Sequence, residues 1–128
     1  MKDKIQELLT HIGRPYQSFF DDKTYLGCFY PLYFLYPFLP KFKLPSKDKS
    51  EYFMYSFNKI NSSDMFEAIS ENELQQGDII VTSYKKQLHI GIYYEFGKMI
   101  HTLNNVPLEI TRVQNYKSRF MRYYRVVL

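Results

Sequence analysis

The sequence predicts an α+β fold, with helices first and an antiparallel sheet second, and three observations carry that expectation. Apolar residues early in the chain recur at helical spacing, short β-branched or aromatic runs fill the second half, and brief polar turns separate those runs. A block of helices followed by a block of strands is the pattern of a domain whose helices cover one face of a sheet.

Ile5, Leu8, Leu9 and Ile12 fall at i, i+3, i+4 and i+7, one stripe of an amphipathic helix over about residues 3–12, and Gly13 with Pro15 supplies its stop. Asp21 to Thr24 reads as a polar loop. From Phe29 to Tyr36 the chain is almost continuously apolar, which predicts a buried helix with Pro31 in its first turn and Pro37 and Pro40 beyond its end. Cys28 then lies at a helix start. Residues 41–50 read as a charged connection, followed by a helix through Tyr52 to Asn58 and a short one near Met65 to Ile69. Strands are expected at residues 78–82, 88–94, 98–102, 108–112 and 122–127, as a meander of four to five.

The 128 residues fit one ordinary domain, so a single unit over residues 1–128 is expected. With 45% hydrophobic residues, including 13 tyrosines and 11 phenylalanines, the chain has enough apolar surface to form a core, which excludes disorder. A net charge of +4 selects no partner by itself. One cysteine excludes an internal disulfide scaffold and a Cys-rich zinc module. The first residues lack the apolar stretch of a signal peptide, and the apolar run Tyr25 to Leu39 is too short and too proline-interrupted to span a bilayer, so a cytoplasmic origin and no transmembrane segment are expected.

Cys28, His89 and His101 are the candidate chemical groups. A hairpin turn near Glu95-Phe96-Gly97 pairs residues whose numbers sum to about 191, which puts His89 opposite a residue near Thr102 and His101 beside that position. A thiol at a helix start next to an imidazole gains thiolate character. His89 can take the thiol proton and return it to a leaving amine, and His101 can orient the His89 ring. The same three residues could form an open N/N/S zinc set, although a structural site would want a second cysteine. A buried structural cysteine and core histidines are the plain alternative. The basic and aromatic stretch from Lys117 to Arg125 divides between two faces of a strand, so no nucleic-acid surface is expected.

Gly13-Arg14-Pro15-Tyr16, Gly27-Cys28, Gly77-Asp78-Ile79-Ile80, His89-Ile90-Gly91-Ile92-Tyr93 and Gly97-Lys98-Met99-Ile100-His101 follow one another in an order that resembles the NlpC/P60 family of papain-like cysteine peptidases over nearly the whole chain. The stretch from Leu108 to Arg125 looks like the small phage tail-assembly branch. The resemblance implies a papain-like fold and a catalytic set of Cys28 as nucleophile, His89 as general base and His101 as polar third member. It implies that Tyr16 points its hydroxyl at the oxyanion. No cofactor and no metal are implied. The implied activity is an endopeptidase or amidase cleaving peptidoglycan stem peptides, with phage tail or tail-like particle proteins as assembly partners and delivery by such a particle. Gly27 replaces the family's acidic residue before the cysteine, and Phe29-Tyr30-Pro31 brings bulk where the family has a small or Trp-Gly pair. Those departures motivate a second expectation, a catalytically silent structural or binding module of a tail tip. A third is an acyltransferase or deamidase on the same scaffold.

Overall fold

A computed structural model describes residues 2–15, 27–41, 52–85, 87–103 and 105–127. Helix α1 spans Lys2–Leu9 and buries Ile5 and Leu8. It ends before Ile12, because from Thr10 onward the backbone tightens to bonds of three-residue span and Thr10 Oγ1 donates to the Glu7 carbonyl at 2.6 Å. Ile12 therefore leaves the expected stripe and is 42% exposed. Gly13, at φ +93°, turns the chain so that its N–H donates to the Leu108 carbonyl at 2.8 Å while Leu108 N–H donates to Arg14.

A 3-10 turn, Gly27–Phe29, leads into α2, Tyr30–Leu35, with Pro31 in the first turn and Pro37 just beyond the end. Pro31, Leu32, Tyr33 and Leu35 are buried on it. Helix α3 spans Tyr52–Asn61, and residues 42–50 of the expected charged connection lie outside the described residues. Among the described residues no helix is long and apolar enough to cross a membrane.

Among the described residues six antiparallel strands form one sheet: β1 Phe66–Ile69, β2 Ile79–Tyr84, β3 Gln87–Tyr93, β4 Lys98–Leu103, β5 Val106–Arg112 and β6 Met121–Val126. Their order is β1-β6-β2-β3-β4-β5, so the expected meander holds from β2 to β5 while β6 returns to lie between β1 and β2. The short helix expected near Met65 to Ile69 is strand β1 instead. Four residues carry no readable period, and pairing of Phe66 with Val126 through Ile69 with Tyr123 decides the conformation.

Alternation divides the sheet. Ile79, Val81, Leu88, Ile90, Ile92, Ile100, Leu108, Tyr124 and Val126 form one core with Ile5, Leu8, Leu32 and Ile60 of the helices. Ile80, Thr82, His89, Gly91, Met99 and His101 alternate with them and occupy the other face. Gly91 leaves room there: a Cβ would run into the buried Met99 side chain. Gly91→Ala is expected to destabilise the fold by about 1–3 kcal/mol, read from urea unfolding, and an unchanged midpoint would contradict this close approach.

The Gly77-Asp78 strand opening is a clasp. Arg125 grips the buried Asp78 carboxylate through Nε at 3.0 Å and a terminal nitrogen at 2.8 Å, and the same terminal nitrogen donates to the Glu73 carbonyl. Gln75 N–H donates to Asp78, and Tyr36 donates its hydroxyl to the Gly77 carbonyl at 2.7 Å. Burial, and the Asp78 charge after it, push the Tyr36 hydroxyl up to about 12. The end of α2, the start of β2 and the last strand are thereby tied at one point.

Candidate active site

The β3–β4 hairpin brings His89 and His101 together through a turn and a bulge. Phe96 and Gly97 both have positive φ, +50° and +74°, and Lys98 N–H closes the turn on the Glu95 carbonyl at 2.9 Å, a two-residue primed turn. Tyr94 N–H bonds the Lys98 carbonyl as well, so Tyr94 and Glu95 share one partner residue. The register becomes Ile92 with Ile100 and Tyr93 with Met99, a sum of 192 rather than the expected 191. The correction is consequential: a sum of 191 places His89 and His101 on opposite faces, and one residue of slip returns them to the same face.

On that face His89 Nε2 and His101 Nδ1 lie 2.8 Å apart, and His101 Nε2 lies 2.7 Å from Glu109 Oε2. Both histidines are buried, whereas the Glu109 side chain is 39% exposed. Tyr116, on a 3-10 turn spanning Val113–Tyr116, stands edge-on to His101 at 4.5 Å and tilted to His89 at 5.6 Å, and Tyr84 adds a ring 6.5 Å from His89. Burial lowers the His89 basicity well below the ordinary value near 6.5, and the His101 charge adds to that. Burial also lowers His101, with the Glu109 hydrogen bond and charge opposing. Burial thus favours the neutral form of both rings.

His89 Nδ1 is buried and has no hydrogen-bond partner among the described residues. An orphaned buried polar atom costs about 1–3 kcal/mol, so its persistence calls for an explanation. Cys28, in the turn before α2, is 4% exposed, and its Sγ donates to the Leu88 carbonyl at 3.9 Å, the residue before His89 and past the end of the short β3–β4 ladder. The thiol thus reaches β3 from the helix side, while His89 projects from the other face. Sγ and His89 Nδ1 are not hydrogen-bonded. Tyr16 lies outside the described residues.

Glu109 and Tyr116 are the residues that sequence reasoning passed over. Pairing of Leu103 with Val106 would put Leu108 opposite His101 by counting alone. A bulge between His101 and Leu103 shifts the pairing so that His101 meets Glu109. The polar side chain alternating with Leu108 and Ile110 was the available signal. As a zinc set the three predicted residues do not fit, because His89 Nε2 and His101 Nδ1 are spent on each other; among the described residues no group of three or more His, Cys, Asp or Glu is arranged to hold a metal. Two surface hollows of about 570 and 400 Å³ both include Arg112, and neither is lined by Cys28, His89, His101 or Glu109.

A model of the NlpC/P60 family matches residues 39–125, more than half of the chain. The chain belongs to the NlpC/P60 family. The matched region holds His89, His101 and Glu109 and begins after Cys28, so it is narrower than the resemblance read from the motifs. Among solved structures the chain is similar to RipD from Mycobacterium tuberculosis, described as a non-catalytic NlpC/p60 domain protein adapted to a peptidoglycan-binding function. The identity is 16%, the alignment covers 98% of this chain and 95% of that one, and the TM-score is 0.57, a likeness of fold. No curated protein matches the chain.

Proposed function

We propose that the chain is a cysteine peptidase or amidase acting on peptidoglycan stem peptides, with Cys28 as nucleophile, His89 as general base and His101 orienting the base. The buried, unpartnered Nδ1 of His89 carries this reading. The nitrogen is kept free at a cost, one residue from the carbonyl on which the cysteine rests, and the base role requires the thiol to turn from the helix side of β3 toward the His89 face when substrate binds. His89 Nδ1 takes the Cys28 proton as sulfur attacks the amide carbonyl, and the same proton passes to the departing amine when the C–N bond breaks. Water then attacks the thioester, leaving the carboxylic acid and restoring the thiol. Tyr16 serves the oxyanion in this scheme, by its resemblance. Association with a phage tail or tail-like particle rests on the likeness of the Leu108 to Arg125 stretch.

Incubation with muropeptides beside Cys28→Ala tests the proposal: the parent chain is expected to release new amino and carboxyl ends, and the variant none. Equal release by both, or release by neither, overturns it.

A second reading, a peptidoglycan-binding module without turnover, has its own support. The thiol is packed in the helix-side core, the hollows bypass the imidazoles, and the fold neighbour RipD is described as non-catalytic. Iodoacetamide separates the two, because an activated cysteine alkylates well below the ordinary thiol pKa of about 8.5 and a core cysteine does not.

A further inference from the structure

Glu109 has no part in the scheme above, yet it ends a continuous chain of hydrogen bonds that begins at His89. A carboxylate only accepts, so at 2.7 Å the proton between Glu109 Oε2 and His101 must sit on His101 Nε2. A neutral His101 then offers a lone pair at Nδ1. Across 2.8 Å that lone pair requires the proton on His89 Nε2, which leaves His89 Nδ1 unprotonated. We propose that Glu109 is a positioning residue that sets the tautomers of both imidazoles through His101, so that His89 presents a lone pair, not an N–H, at Nδ1.

This rests on the reading of His89 as a base, and its structural part stands apart from turnover. The titratable groups around the pair are Tyr84 from β2, Tyr116 from the 3-10 turn, Glu109 from β5 and Cys28 before α2. Among the described residues only Glu109 touches a ring nitrogen at the outer end of the relay, so the direction of the whole relay is decided there. A doubly protonated His101 would donate from Nδ1 and force the opposite tautomer on His89, and burial of both rings keeps that state from forming near neutrality.

Long-range 15N–1H correlation spectra of the histidine rings at pH 7.5 test the relay directly. In the parent chain His89 and His101 are both expected as Nε2–H tautomers with an unprotonated Nδ1 signal. In Glu109→Ala the His89 pattern is expected to become a mixture, and Glu109→Asp to restore part of the original. If the proposed hydrolysis holds, kcat in Glu109→Ala falls about 10- to 100-fold with KM little changed. An Nδ1–H His89 in the parent chain, or unaltered ring signals in Glu109→Ala, overturns the relay. The parent spectrum decides even if a variant fails to fold, and the Cys28→Ala comparison on muropeptides fails or succeeds independently of it.

Discussion

His89→Ala is expected to lower kcat/KM on a muropeptide substrate by at least about 10³-fold, while leaving the fold intact by circular dichroism. The ring removed carries the unpartnered buried Nδ1, on the residue that follows the Leu88 carbonyl holding the thiol. His101→Ala should cost less, since water can take over one hydrogen bond at His89 Nε2 but cannot replace the base itself. Combining Cys28→Ala with His89→Ala should add little beyond the first, because the two act in one proton transfer. A parent-like rate in His89→Ala removes the proposed mechanism.

The second large effect is on stability against pH. Burial lowers the folded-state basicity of both His89 and His101 below the unfolded value near 6.5. Below pH 6.5 the unfolded chain therefore binds protons that the folded chain refuses, and stability falls as pH falls. The contribution of the pair is fully present above about pH 6.5 and is lost on acidification toward the folded-state values. Each histidine gives a slope of at most about 1.4 kcal/mol per pH unit, and His89, the more strongly lowered of the two, carries the larger share. Urea unfolding at stepped pH should show this slope in the parent chain and a shallower one in His89→Gln. Identical slopes would mean that the imidazoles are not shielded as the structure has them.

Local chemistry made most of the elements legible. Pro31 and Pro37 bracket α2, period-two runs mark β2 to β6, and the Glu95-Phe96-Gly97 turn brings the histidine strands together. The errors have two causes: β1 is settled by partners distant in the chain, Val126 to Tyr123, while α1 is cut short locally where Thr10 and the tightened backbone end it. Short segments hold too little local free energy to resist such partners.

The candidate site sharpens the same distinction. Residue types and spacing alone were enough to single out Cys28, His89 and His101, to place the two histidines on neighbouring strands and to name the family they resemble. Tertiary structure decided what those residues touch: one bulge turns His89 and His101 to a common face, a second brings Glu109 to His101, and packing of the helix turn against β3 puts the thiol on the Leu88 carbonyl. A strand changes face at every residue, so a single inserted position reverses a contact, and only the paired backbone determines where that position falls.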